Sequence, residues 1–523
     1  MDKYYITTAI AYSTAKPHIG NVYEIVLSDA IARYHRLINK DVYFQTGVDE
    51  HGQKIQRHAI ENNISPQLYV DNYYKIIKEQ FDLMNVSYDN FVRTTNDYHK
   101  KQVAKIFEKL YKQGDIYKSE YQGKYCIDCE SFFTISQLKD GCCPDCNAKV
   151  EDTKEEAYFF KISKYTQRLK QHIIDNPNFI QPESRKNEML NNFINKGLED
   201  LCVTRSSFTW SIPVPFDTNH VIYVWIDALS NYITGIGYDA DGNHQERYLK
   251  YWPADVHIIG KDILRFHTIY WPILLLALDI PLPKQVFGHP WILIKDGKIS
   301  KSKGNSIYVD ELLQFFSIDA IRYIMLHEIP YAQDGNISYE LIIERINSEL
   351  VNTLGNLVNR TITMSNKYFD GYYKNTNIIN DLEKELASIS NQTIINYHNS
   401  MNKLMIQQAL DNIFTLLRRC NKYIDQTTPW LLIKQPDKLP YLNTVLYHII
   451  EVIKISAILL KPFMPDTANN ILKQINVEDY NIKNINFYTL KDNKVTESPT
   501  ILFERINPEE LLNKIQQVLN NNQ

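Results

Sequence analysis

Apolar positions along the chain follow two rhythms, and the change between them divides the sequence. Residues 4–11 form an apolar run rich in β-branched and aromatic side chains, followed at once by Val22, Ile25, Val26, Ile31, Tyr34 and Leu37 at helical spacing, which predicts a strand leading straight into a helix. Residues 41–46 predict a second strand. Ser65-Pro66 then supplies an N-cap and a first helical residue ahead of a stripe at Val70, Tyr73, Ile77, Phe81 and Met84. The pattern resumes after His220, where 221–225 and 256–259 read as buried strands, the first leading to Asp227, Ala228 and Tyr232 and the second to Ile263, His267 and Trp271. Strands alternating with helices predict a parallel α/β sheet, and the stretch 114–219 between its halves reads as an insertion. Beyond Ile337 strand patterns fade. Stripes at Ile343, Ile346, Leu350, Leu354 and Leu357, then over 404–420 and 442–460, predict a helical bundle.

Composition narrows the class. With 523 residues, 44% hydrophobic and 23% charged, the chain has the make-up of a multidomain globular protein, and disordered or collagen-like classes are excluded. A net charge of −4 provides no global attraction to nucleic acid, so any polyanion must be held by local groups. No secretion signal heads the sequence, and the apolar stretches 269–278 and 449–460 fall short of the roughly 20 residues of a membrane span. Five of the seven cysteines lie between Cys126 and Cys146, which fits a metal site in a reducing cytosol rather than scattered disulfides.

Four stretches carry candidate chemistry. Lys16-Pro17-His18-Ile19-Gly20-Asn21 sits at the first strand-to-helix turn, where backbone N–H groups and the helix dipole favour an anion and Gly20 allows close approach; an incidental His on a capped helix is the plainer alternative. Gly47-Val48-Asp49-Glu50-His51-Gly52 ends the second strand and faces the same crevice. Cys126-Ile127-Asp128-Cys129 and Cys143-Pro144-Asp145-Cys146 have the spacing of a closed, structural thiolate zinc knuckle, with a redox dithiol as the competitor and Cys142 leaving the third ligand open. Gly297 to Asn305, with Lys298, Lys301 and Lys303, is either a solvated turn or a basic loop that closes on phosphates. In the bundle, Asn356 and Arg360 are i,i+4 neighbours off the apolar stripe, and Thr428-Pro429-Trp430 starts a helix whose tryptophan, by position alone, reads as core rather than as a contact.

His18-Ile19-Gly20-Asn21 and Lys298-Ile299-Ser300-Lys301-Ser302 resemble, in order and separation, the two signature motifs of class I aminoacyl-tRNA synthetases. Segments 46–52, 223–228, 259–263 and 354–360, with Pro429-Trp430, are similar to the methionyl-tRNA synthetase family, over nearly the whole chain to at least Phe463. The resemblance implies a Rossmann-like parallel sheet split by a zinc-knuckle insertion and followed by an α-helical anticodon-binding bundle. Its segments would be catalytic halves 1–115 and 221–288, insertion 116–220, a mobile-loop region 289–345, bundle 346–505 and tail 506–523. It implies activation of L-methionine by ATP with Mg²⁺, then transfer to the 3′ end of initiator and elongator tRNA(Met). By that resemblance His18, Gly20, Asn21, Gly260, Asp262, Lys298 and Lys301 bind ATP, and His18, Asn21, Lys298 and Lys301 act in catalysis. Asp49 pairs with the methionine ammonium, while Ile10, Tyr12, Trp225, Ala228, Tyr232, Ile263 and His267 line its pocket. Asn356, Arg360 and Trp430 read the anticodon, and Cys126, Cys129, Cys143 and Cys146 hold one zinc as in the bacterial one-zinc branch. A cytoplasmic monomer without a C-terminal tRNA-binding appendage is expected. The chain departs from the family pattern at Asn21, where His is usual, at Leu229, where some relatives have Pro, and at Gly288-His289-Pro290, where a His-Gly turn is usual. Rival readings are another class I synthetase of the same subclass, whose editing domain would not fit this insertion, and a non-catalytic tRNA-binding paralogue, which need not keep His18, Asp49, Lys298 and Lys301 together.

Overall fold

The computed structural model describes residues 1–127, 131–133, 138–144, 147–294, 297–298, 306–478, 482 and 485–521. They fall into two compact units, 1–28 with 40–290 and 29–39 with 291–523.

The first unit is built on a parallel sheet. Its strands are β1 (Lys3–Thr8), β2 (Asp41–Asp49), β3 (Asn90–Arg93), β4 (Ile180–Gln181), β5 (Val256–Gly260) and β6 (Val286–His289). They lie in the order β3-β2-β1-β5-β6-β4, with a short continuation of β1, Ala11–Tyr12, paired to the end of β2. The order reverses between β1 and β5, which creates a crevice above their carboxyl ends. β1 is nearly all buried, as a strand covered on both faces must be.

Two expectations change here. Residues 221–225 do not form a strand of this sheet. Asp217–Ile222 belongs to a three-stranded antiparallel sheet with Thr204–Arg205 and Pro213–Val214, and the helix Val224–Thr234 follows at once. An apolar run of this length does not distinguish a parallel strand from a ribbon strand joined to a buried helix. Nor is the stretch 114–219 wholly separate, because β4 completes the parallel sheet and Leu169, Ile173, Phe179 and Met189 join its core. The insertion also carries a four-stranded antiparallel sheet led by Ile116–Cys126 paired with Glu151–Phe160, and Ile116, Tyr158 and Phe160 at the joined ends of these strands belong to the same core.

The second unit opens with a hairpin, Ile292–Ile294 against Gly297–Lys298, and continues as helices. The helix that begins at Tyr339 runs through a π-wound segment, Ile346–Gly355, into Asn356–Phe369. Ile406–Thr427 and Leu439–Leu460 pack beside it, and Asp381–Asn402 packs against those two. Contrary to the sequence expectation, one segment, Pro436–Leu460, is long and apolar enough to cross a membrane, but 94% of its apolar window is buried in the bundle. Its polar pair, Glu451 and Lys454, is closed at 2.5 Å inside the same fold.

Candidate active site

At the crevice between β1 and β5, the first motif builds its own helix start. His18 precedes the helix Ile19–Leu37, and its Nδ1 accepts the Gly20 N–H at 3.1 Å while Asn21 Oδ1 accepts the His18 N–H at 3.2 Å. This reciprocal pair satisfies two donors that a helix N-terminus otherwise leaves open. Because Nδ1 accepts, a neutral His18 carries its proton on Nε2, so that edge is a donor without a full charge. On the other side of the crevice β5 ends at Gly260, where a Cβ would stand 2.5 Å from Asp262 Oδ1; glycine there is what lets the carboxylate fold back over the strand end.

Sequence reasoning missed a pair at this same end of the sheet. His289, at the end of β6, places Nε2 3.0 Å from Glu24 Oε2, while its Nδ1–H donates to the Pro290 carbonyl at 2.8 Å. Burial raises the Glu24 carboxyl, and although burial opposes a charged His289, its bond to Glu24 shifts the imidazole upward overall. Both shifts favour keeping a proton between the two side chains. Glu24 stands one helical turn beyond Asn21, which was the available clue.

The residues expected around methionine fall into two groups. Tyr12 pairs with Asp49 across the sheet edge, which places both at the end of β2, and Ile10 is half-buried just before them. In the second group, Tyr232 donates its hydroxyl to His267 Nε2 at 2.7 Å, and His267 Nδ1–H donates to the Ile263 carbonyl at 2.9 Å. Burial lowers His267 to about 4, so it is neutral at pH 7, and burial raises the Tyr232 phenol. Trp225 meets His267 edge-on at 6.4 Å and stacks on Phe266 at 3.7 Å, a partner not anticipated from sequence. His267 and Phe266 lie in a second π-wound segment, Phe266–Tyr270. Ala228 is buried one turn before Tyr232 on the helix Val224–Thr234.

The remaining candidates lie elsewhere. Lys298 pairs through its backbone with Leu293 in the second unit, and Lys301 lies outside the described residues, as do Cys129 and Cys146. Cys126 and Cys143, one from each cysteine pair, are 0% and 1% exposed and share a small cluster with Leu138, Ala148 and Val150. Asn147 takes a positive φ of 62° and donates its N–H to the Cys143 carbonyl at 2.9 Å, turning the chain back after the second pair. Cys142 instead bridges Lys139 and Lys149 and is partly exposed. Among the described residues no three metal-ligating side chains cluster. In the bundle, Arg360 lies 3.9 Å from Asp425 and Asn421 donates to the Thr353 carbonyl at 3.0 Å, which brings the exposed Asn356 and Arg360 beside the end of Ile406–Thr427. Trp430 follows five residues after Asp425, at the first turn of Pro429–Leu432, and is 41% exposed rather than core.

Comparison with known proteins bears on both units. A family profile described as class I tRNA synthetases (M) matches residues 4–153 and 138–362, and one described as the anticodon binding domain of methionyl tRNA ligase matches 375–519. The chain is 56% identical over 475 residues to the methionine–tRNA ligase of Clostridium tetani, covering 91% of the chain and 74% of that protein. With the Clostridium perfringens enzyme it shares 52% over 515 residues, covering 98% and 79%. The solved structure of Mycobacterium tuberculosis methionyl-tRNA synthetase in complex with methionyl-adenylate is 37% identical and aligns with a TM-score of 0.91, covering 97% of this chain and 100% of that one.

Proposed function

The chain belongs to the methionyl-tRNA synthetase family and is a methionine–tRNA ligase, and from that premise we propose how its own residues divide the work. The methionine carboxylate oxygen attacks the α-phosphorus of ATP. The bond to the β-phosphate bridging oxygen breaks, and its electron pair leaves with pyrophosphate. A terminal ribose hydroxyl of tRNA then attacks the methionyl carbonyl and expels AMP.

No residue forms a bond to substrate, so rate comes from placement and charge. His18, through Nε2–H, and the Asn21 amide bind the phosphates at the helix start, where the dipole also favours negative charge. Gly20 admits the nucleotide, while Gly260 and Asp262 receive its ribose. Lys298 and Lys301 neutralise the leaving pyrophosphate, and ATP arrives with its Mg²⁺. Asp49 pairs with the methionine ammonium. Ile10, Tyr12, Trp225, Ala228, Tyr232, Ile263 and His267 form the pocket for the thioether, a soft group that packs well on aromatic edges. A neutral His267 suits that role, since an imidazolium would add a charge to an apolar pocket.

Cys126, Cys129, Cys143 and Cys146 hold one structural zinc. The burial of Cys126 and Cys143 in one cluster supports this set, and the position of Cys142 outside it favours Cys143 as the third ligand. Asn356 and Arg360 offer hydrogen bonds to anticodon base edges and Trp430 a stacking face, the usual means of reading unstacked RNA.

One observation carries the catalytic assignment: His18 and Asp262 close the two strand ends that flank the point where the strand order reverses. ATP–pyrophosphate exchange tests it. Exchange dependent on methionine among the standard amino acids, and reduced at least 100-fold by Lys301→Ala, is the expected result; unaltered exchange in that variant would remove the lysine loop from the mechanism.

A further inference from the structure

One buried carboxylate has no part in these roles. Asp227 lies in the first turn of the helix Val224–Thr234, between Trp225 and Ala228 in sequence, and is fully buried. Its Oδ2 accepts His51 Nδ1–H at 2.6 Å, and its Oδ1 accepts His99 Nε2–H at 2.7 Å. His51 follows Asp49 by two residues in the turn after β2. His99 belongs to the helix Asp97–Lys112, and its Nδ1 lies 2.7 Å from Thr234 Oγ1 at the far end of Asp227's own helix. Burial pushes the Asp227 carboxyl up, but the two imidazoles outweigh it and hold the group at about 2. An ionised carboxylate survives at this depth only with partners on both oxygens. Charge-assisted bonds this short are also directional, so they fix distance and angle between the segments they join.

We propose that Asp227 is a positioning residue for methionine: through His51 it holds the turn bearing Asp49 at a set distance from the helix bearing Trp225, Ala228 and Tyr232. The ammonium end and the thioether end of the substrate are then held by one frame whose keystone is the carboxylate. His99 completes that frame by tying Asp227 to the helix that also reaches Thr234. The inference rests on the reading of Asp49 and Trp225 as methionine contacts.

The test uses the shapes of amide side chains. An asparagine Nδ2 stands where a histidine Nδ1 stands, so His51→Asn keeps the donor to Asp227 that His51→Ala loses. In ATP–pyrophosphate exchange with the full chain, Asp227→Asn and His51→Ala raise the KM for methionine at least tenfold, leave the KM for ATP within about twofold, and weaken discrimination against homocysteine. His51→Asn restores the methionine KM to within about threefold of the parent. Equal impairment in His51→Asn and His51→Ala, or parallel changes in both KM values, overturns the proposal. Asp49→Ala and Trp225→Ala serve as the reference. If neither raises the methionine KM, the pocket reading fails; if both do while His51→Ala and Asp227→Asn do not, the pocket stands and the positioning role falls. Should Asp227→Asn fail to fold, the His51 pair decides the matter alone.

Discussion

His18 does two jobs with the two edges of one ring. Its Nδ1 caps the helix by accepting the Gly20 N–H, and that acceptance fixes the donor on Nε2. The usual His in place of Asn21 is not needed for the turn, because Asn21 Oδ1 closes the reciprocal bond to the His18 N–H. The two jobs are separable. His18→Asn substitutes a side chain that caps as well as any, with an oxygen near the former Nδ1, but no donor reaches the position of Nε2. Thermal melting of this variant stays within about 2 °C of the parent, while the exchange rate falls about 100-fold, the cost of one preorganised donor to a charged transition state. His18→Ala loses the cap as well and is less stable by about 1 kcal/mol. A large drop in melting temperature for His18→Asn would show that the ring serves packing rather than the reaction.

At the scale of elements, short pieces of irregular winding sit beside the proposed contacts. The π-wound segments Phe266–Tyr270 and Ile346–Gly355 carry His267 and lead directly into Asn356. Such winding lets a helix re-aim a side chain at a cost in backbone geometry, which is why it recurs at functional sites. It also explains what was legible. The strand-to-helix turn at His18, the Ser65 cap and the bundle stripes were readable because hydrophobic spacing and capping residues are local signals. β4, two residues long, carries no period at all, and the bonds from Asp227 to His51 and His99 join three segments that no spacing rule connects. Trp430 was ambiguous for a simpler reason: a tryptophan at a first turn reads as core until its exposure is known, and at 41% exposure its removal disturbs little packing. Trp430→Ala therefore leaves ATP–pyrophosphate exchange within twofold while raising the KM for tRNA(Met) about 10- to 100-fold, the worth of one lost stack. Equal loss in both assays would return the residue to the core. The cysteine element yields a further expectation, one zinc per chain by metal analysis. Its removal by chelator should melt the ribbon of Ile116–Cys126 and Glu151–Phe160 before the parallel sheet, as followed by amide hydrogen exchange.

Across the whole molecule, buried histidines set how stability responds to pH. Burial lowers His267 and His448 to about 4 and drives His257 well below its ordinary value. His257 and His267 belong to the first unit and His448 to the second. Each stays neutral in the folded chain at pH values where the unfolded chain, with its imidazoles near 6.5, has already taken up a proton. Below about pH 6.5 the unfolded state thus binds more protons, and each group removes up to about 1.4 kcal/mol per pH unit until its folded pKa is reached. His327 acts with the opposite sign. Burial disfavours its charge, but Asp411 and Glu328 more than compensate and raise it to about 9, so its contribution is complete below about pH 6.5 and is lost as pH rises through 9. That term is smaller than its pKa implies, because Asp411 is half-exposed and screened. The midpoint of urea unfolding should therefore fall steeply from pH 6.5 to 4.5 and more gently from pH 6.5 to 9. His448→Gln should flatten the acid limb without touching the alkaline one, and His327→Gln should do the reverse. An acid limb as steep in His448→Gln as in the parent would mean that this imidazole is reached by water and titrates normally, and the same result for His267→Gln would remove the neutral state assigned to His267 in the methionine pocket.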